Sequence, residues 1–199
     1  MLAAITIPVV SRVRSSAADA TCKSNLRQLY SALLLYAQDH KDCLPVAYDG
    51  GSISWVSELL DGNYLPRIRN DISGSSSDVL GCPVQRKSIS PFNPSARTYS
   101  LNYHLQNSRT SPRTLASIDP PSRVLLSGDG AGPNAENPPF NIQFIAKTIY
   151  VPTPVHPDAN GRINTLYADG HVSTLTSADI PGTGSSTPGT AAYQFWQGR

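Results

Sequence analysis

The sequence has little charge. Lysine, arginine, aspartate and glutamate make up 15% of its 199 residues, whereas about 25% is usual in globular domains. The net charge of +2 is small and the basic residues are scattered, so the chain lacks the basic stripe that marks a nucleic-acid-binding protein. Glycine and proline are plentiful instead, with 14 and 17 residues. The composition is typical of a loop-rich exported protein and excludes a nucleic-acid partner.

No apolar run is long enough to cross a bilayer. A transmembrane helix needs about 20 apolar residues, and the apolar stretch at residues 1–10 has about half that number. This stretch also lacks the preceding basic region and the following cleavage site of a secretory signal. An apolar end this abrupt indicates a segment that has been cut short, and a buried first helical turn is the alternative.

A long helix is predicted from the start of the chain. Pro8 is expected to kink it without ending it, and Pro45 requires it to stop. A helix of about 38 residues within 1–44 would be about 57 Å long, more than a domain of this size can bury. Residues 1–20 should therefore protrude, or lie in a membrane or an assembly. The second half has apolar residues three and four apart along one face: Leu26, Leu29, Tyr30, Leu33, Leu34 and Ala37.

The pattern changes after residue 45 to short elements. A helix capped by Ser54 is predicted first, and the later segments alternate polar and apolar residues as strands do. One long helix followed by antiparallel strands predicts an α+β fold with a sheet of roughly four strands. Residues 45–199 are expected to form one loop-rich domain with the second half of the helix. Strands are predicted in four segments: 96–105, 122–130, 144–151 and, around an Asp-Gly turn, 163–176.

Cysteine is scarce. If the first helix is continuous, Cys22 and Cys43 lie about 31 Å apart along its axis, while bridged Cα atoms lie within about 7 Å. Cys82 is therefore one partner in any intrachain disulfide, and three free thiols are the alternative. A zinc site of His40, Cys43 and Cys82 lacks the fourth ligand that structural zinc requires.

The stretch "HPDANGRINTLYADGHV", residues 156–172, concentrates histidine and aspartate. A hydrolytic site would need a recognisable constellation, but the chain contains neither a His-Glu-x-x-His helix nor a Gly-x-Ser-x-Gly elbow. Asp169-Gly170 between two strand segments is typical of a two-residue type I′ hairpin turn. We therefore interpret the stretch as a hairpin with polar ends and predict no catalytic residues.

The order of these segments resembles type IV pilins and type II secretion pseudopilins. It is most similar to the family with a prepilin-type N-terminus and a C-terminal His-x9-Asp-Gly motif. The resemblance extends over about residues 2–175 and is carried by these segments: "LAAITIPVVSRVRSSA", "CKSNLRQLYSALLLYAQDHKDCLP", "WVSELLDGNYLP", "GCPV", "TYSLNYHL" and "PPSRVLLSGDG".

Two features depart from the family pattern. The prepilin peptidase signature is missing, and we expect that the membrane half of the helix has been removed and replaced by a start Met. The motif maps onto His156, Asp169 and Gly170, but twelve residues rather than nine separate His156 from Asp169. The residues "PDA" resemble a three-residue insertion after the histidine.

The resemblance implies specific sites. It pairs Cys22 with Cys82, with Cys43–Cys82 as the alternative, and such a bridge is worth about 2–4 kcal/mol. Calcium bound by loop oxygens in related pseudopilins implies a possible ion at Asp129, Asp158 and Asp169. No other cofactor is implied. The assembly surface it implies comprises Leu2, Ile5, Ile7, Pro8, Val9 and Val10.

The function implied is structural. By resemblance, the chain is a minor pilin or pseudopilin that is anchored in the inner membrane by the missing N-terminal segment. It then joins other subunits in a periplasmic or extracellular filament, and the remaining apolar stretch allows a homodimer. An extracellular binding module for glycans or proteins on the same scaffold is the main alternative. An enzyme that uses His156 and Asp169 is a third.

Overall fold

The structure is a computed structural model that describes residues 3–46, 54–67, 77–88, 98–105, 113–129, 141–142, 162–176, 178–181 and 188–198. Its helices are α1 (Ala3–Asp39), α2 (Trp55–Asp61), α3 (Pro83–Ser88) and α4 (Ala191–Gln197). Its strands are β1 (Tyr99–Asn102), β2 (Leu125–Asp129), β3 (Asn141–Ile142), β4 (Arg162–Tyr167) and β5 (Val172–Thr176). The predicted strand at 144–151 lies outside the described residues.

The strands form one sheet in the order β3-β1-β2-β4-β5. The pairs β1–β2, β2–β4 and β4–β5 are antiparallel, and the two-residue β3 runs parallel to β1 at the edge. Four antiparallel strands behind one long helix confirm the predicted α+β class. The predicted cap of α2 is also confirmed, since the Ser54 hydroxyl accepts the Ser57 N–H and Ser57 reciprocates.

α1 is one helix of 37 residues, about 55 Å long. It ends five residues before the predicted limit at 44, because Lys41 and Asp42 take left-handed φ angles of 57° and 63°. Neighbouring chain stabilises this turn, since Asp42 accepts the N–H of Leu115 on its carbonyl and the N–H of Ala116 on its carboxylate. Among the helix side chains from residue 12 onward, Cys22 is the first that is buried, whereas residues 12–17 are exposed.

Two apolar clusters cover the two faces of the sheet. Successive strand residues point to opposite faces, so Leu125 and Leu126 belong to different clusters. On one face the buried side of α1 packs against Leu101, Leu126 and Leu166. The other face holds a smaller cluster in which α4 takes part: Leu125, Ile163, Tyr167, Ile180, Phe195 and Trp196. The sheet thus lies between a long helix and a short one.

Candidate functional site

The Asp-Gly turn is longer than its sequence predicted. The Tyr167 N–H donates to the His171 carbonyl and the Gly170 N–H donates to the Tyr167 carbonyl, so the loop has three residues rather than two. The prediction of a type I′ turn is wrong, because among the turn residues only Gly170 has positive φ, at 90°. A turn closed by one left-handed glycine is the usual three-residue hairpin.

Asp169 and His171 form a pair on this turn. One Asp169 carboxylate oxygen lies 2.6 Å from His171 Nδ1 and accepts the His171 backbone N–H at 3.1 Å. Partial burial raises the pKa of Asp169, but these hydrogen bonds outweigh it, so the pKa lies below its ordinary value. Because an ionised carboxylate only accepts, Nδ1 carries the proton of the pair and Nε2 is the ring nitrogen left for other contacts.

The long helix touches the hairpin through Tyr30. Its hydroxyl donates to the Ala168 carbonyl at 3.2 Å, and its ring lies where a side chain on Gly170 would project. Burial, followed by the Asp169 charge, raises the pKa of Tyr30, so the hydroxyl remains a donor. Gly170 thus satisfies two demands, a left-handed backbone and close approach of an aromatic ring.

Gly170→Ala should therefore lower the free energy of unfolding by about 2 kcal/mol, from backbone strain and overpacking together. Urea denaturation measures this loss. Gly189→Ala is the matched control, because Gly189 also has positive φ, at 85°, but its added methyl would meet nothing within 4 Å. Equal losses in the two variants would contradict a role for Tyr30.

The predicted calcium ligands do not converge. Asp158 lies outside the described residues, as does His156. Asp129 is 1% exposed and accepts the Asn164 N–H at 2.8 Å, while Asp169 lies beyond the far end of β4. The strand from Asn164 to Tyr167 alone covers about 10 Å, and calcium holds its oxygen ligands within 2.3–2.6 Å of the ion. The prediction that Asp129 and Asp169 share an ion is wrong.

Cys22 and Cys82 form a disulfide with a Cα–Cα distance of 4.8 Å, the pairing that the resemblance implied, and Cys43 keeps a free thiol. The zinc hypothesis fails, because the Cys82 sulfur is already bonded to Cys22. Within the described ranges, one group of three potential metal-ligand atoms lies close together, and it consists of the Cys22 and Cys82 sulfurs and a carboxylate oxygen of Asp129. Two bonded sulfurs cannot act as thiolate ligands, so this group holds no metal.

A polar seam joins α1 to the domain near this disulfide. The Asn25 amide donates to the Gly81 carbonyl at 3.1 Å, the Asn164 amide donates to Asp19 at 2.9 Å, and the Tyr99 hydroxyl donates to the Cys22 carbonyl at 3.0 Å. Burial, reinforced by the nearby Asp129 charge, raises the pKa of Tyr99 well above its ordinary value, which keeps this donor protonated. Sequence patterns did not reveal the seam, since its partners lie far apart along the chain.

The predicted assembly residues lie at the start of α1. Ile5, Ile7, Pro8, Val9 and Val10 are all within the helix, and Leu2 lies outside the described residues. Further along, Val13 is 61% exposed, one of two large exposed apolar side chains in the described part of the chain. Residues 12–17 of the helix are thus exposed, whereas Asp19, further along, already contacts Asn164.

A pocket of about 320 Å³ opens on the other face of the sheet, between the turn at Pro121–Arg123, the hairpin and α4. No sequence pattern predicted the pocket, because its residues come from four separate parts of the chain. Those that line it are Ser122, Arg123, Tyr167, His171, Pro181, Ala191, Gln194 and Phe195.

No protein-family model, curated protein or solved structure matches this chain. Among the helices of the described residues, none combines the length and apolar character needed to cross a bilayer.

Proposed function

We propose that this chain is a structural subunit of a filament, a minor pilin or pseudopilin of the type IV pilus or type II secretion kind. The observation that carries the proposal is the change along α1 between residue 17 and Cys22. From Asp19 onward the helix is held by the polar seam, a disulfide and the core. Before it, residues 12–17 are exposed. A helix displayed in this way supports assembly, because identical helices can bury their free halves against each other.

The disulfide supports an exported location. Stable structural disulfides form in oxidising compartments such as the periplasm or the cell exterior, and the Cys22–Cys82 bridge is fully buried. We accordingly propose that the subunit starts as an inner-membrane precursor and then works outside that membrane. Its proposed partners are other pilin-like subunits. The proposal includes no catalytic role, and Asp169 instead organises the hairpin through His171.

A direct test substitutes Val13, the exposed apolar residue on the free half of α1. In a bacterium that produces the full-length gene product, Val13→Asp should strongly reduce the amount of subunit recovered in sheared surface filaments. The physical reason is that assembly would bury a carboxylate in an apolar helix contact. Immunoblotting of sheared and cell-bound fractions measures the distribution.

Leu35→Asp is the matched control, since Leu35 is 51% exposed on the docked half of the same helix. Both purified variants should melt as the unsubstituted chain does, because exposed substitutions change stability by only about 0.5 kcal/mol. Filament incorporation of Val13→Asp equal to that of Leu35→Asp would contradict the assembly surface proposed.

A further inference from the structure

The pocket beside α4 has a rigid apolar floor. Phe195 meets the Tyr167 ring edge to face, with centroids 6.2 Å apart, and the His171 ring stacks on Tyr167 at 4.2 Å. Trp196, the next residue along α4, donates its indole N–H to the Pro181 carbonyl at 3.4 Å. These contacts hold the floor in place before any ligand enters.

The C-terminal end of α4 is fastened independently of the floor. The Asn102 amide donates to the Trp196 carbonyl at 2.9 Å, and Arg113 donates to the carbonyls of Gln197 and Gly198. A cationic side chain at a helix C-terminus is favourable, because the exposed carbonyls there carry partial negative charge. The wall that α4 forms is thus fixed to the rest of the domain by hydrogen bonds.

Hydrogen-bond donors reach the rim of the pocket from Arg123, Ser122 and Gln194. Arg123 is exposed and forms no ion pair with any residue that the structure describes. Ser122 and Gln194 line the same opening, and the side chain of His171 is 45% exposed. Among the described residues that line the pocket, none carries a carboxylate. Two acids lie close enough to act on the lining residue Tyr167. Asp179 accepts the N–H and the hydroxyl of Thr176, and Asp169 is engaged by His171 Nδ1 and the His171 N–H.

We propose that this pocket binds a small organic carboxylate with an apolar body. The guanidinium of Arg123 offers the planar pair of donors that matches a carboxylate, and Phe195, Ala191 and Pro181 offer apolar surface for the rest of the ligand. A volume of about 320 Å³ lies at the lower end of the range for small-molecule sites, about 300–1,000 Å³, which limits the body to about one ring.

This binding function goes beyond assembly and is physically separate from it. The pocket lies on the α4 face of the sheet, while α1 covers the opposite face. A subunit displayed in a filament through α1 would keep the pocket accessible. Loss of ligand binding and loss of filament incorporation are therefore expected from different substitutions.

The probe for the experiment is 3-phenylpropionate, with 3-phenylpropionamide as its uncharged counterpart. Titrating the full chain with each, followed by NMR chemical-shift changes of the Trp196 indole and neighbouring amides, should give saturable binding of the acid. The amide should bind about tenfold more weakly, a factor that corresponds to loss of one charge-assisted contact. Equal affinities would overturn the assignment to carboxylates, and no saturable shift for either probe would overturn the site.

Two substitutions locate the binding. Arg123→Gln should lower the affinity for 3-phenylpropionate by about tenfold. Arg27→Gln makes the same charge change on the exposed surface of α1 and should leave that affinity unchanged. Ala191→Trp keeps Arg123 but fills the apolar part and should abolish binding. An equal loss of affinity in Arg123→Gln and Arg27→Gln would show that the acid is attracted by net charge alone and would overturn binding in the pocket. Undiminished binding by Ala191→Trp would overturn it as well.

Discussion

Replacing Cys22 and Cys82 together by alanine is expected to lower the free energy of unfolding by about 4 kcal/mol. The bridge closes a loop with a sequence separation of 60, and a loop of this length restricts the unfolded chain by about that amount. Whole domains are stable by only about 5–15 kcal/mol, so a large part of the total would be lost. The midpoint and slope of urea denaturation provide the measurement.

Cys43→Ala is the control for this double substitution, because Cys43 carries a free, partly exposed thiol. Its effect should stay within about 0.5 kcal/mol, as for most substitutions outside a core or a network. A double-alanine variant with the denaturation midpoint of the unsubstituted chain would show that the bridge does not constrain the unfolded state in this way. Mass spectrometry of unreduced peptides verifies the pairing in the starting material.

Asn102→Asp is expected to lower the free energy of unfolding by about 3 kcal/mol or more at neutral pH. The Asn102 side chain is 0% exposed, and its amide donates to the carbonyls of Leu125 at 2.6 Å and Trp196 at 2.9 Å. Its own carbonyl accepts the His104 N–H at 3.0 Å. Aspartate has the same shape but, when ionised, no donor, so a buried charge would face two carbonyl oxygens.

The loss should depend on pH with a definite sign. Burial beside carbonyl oxygens would raise the pKa of the new carboxyl in the folded state above its unfolded value. The folded state would then hold the proton more tightly, so the deficit should shrink as pH falls and grow as pH rises through the unfolded value of about 4. Denaturation curves at several pH values for both chains measure this difference.

Gln28→Glu makes the same amide-to-acid change on an exposed site of α1 and should cost little at any pH. Asn102→Ala separates the two causes, because it removes the donors without adding charge and should be less harmful at neutral pH than Asn102→Asp. A stable Asn102→Asp variant would show that α4 does not depend on this amide. The pocket beside α4 would then lack a rigid wall on that side.

The sequence pattern predicted the features that depend on residues close together in the chain, namely the strands, the buried face of α1 and the cap of α2. The alternation of polar and apolar residues located the strands around Leu101, Leu126 and Leu166, and the spacing of Leu26 and Leu29 gave the buried face of α1, because burial imposes the period of each element. The cap at Ser54 was predictable for a similar reason, since the first N–H groups of a helix need a nearby acceptor.

The end of α1 and the length of the hairpin could not be predicted from the sequence, because both depend on hydrogen bonds that form only in the folded chain. Lys41 and Asp42 take left-handed angles that few side chains adopt unaided, and Asp42 is held there by backbone donors from Leu115 and Ala116. The hairpin has three residues, and Asp169 holds it together by accepting the N–H of His171. Asp129 lies at the end of a strand, as predicted, but its burial and its bond to the Asn164 N–H come from the neighbouring strand.

The pocket could not be predicted for a different reason. Arg123, His171 and Gln194 are separated by tens of residues and belong to no motif, so only the folding of α4 onto the sheet brings them to one opening. The Asp-Gly hairpin contains the histidine and aspartate residues that a hydrolytic site would use, and the structure places one of them, His171, at the rim of the pocket. The aspartate beside it positions the histidine ring.

The position of the disulfide has a mechanical consequence. From residue 12 onward, Cys22 is the first buried residue of α1, and the Cys82 N–H donates to the Thr98 hydroxyl at 2.6 Å, one residue before β1 begins. Tension applied to the start of the helix would pass through the disulfide to Cys82, which a hydrogen bond joins to the residue before β1. The segment between the two cysteines, which are 60 apart in sequence, would be shielded from that load, and the helix could not be separated from the domain beyond Cys22 without breaking a covalent bond.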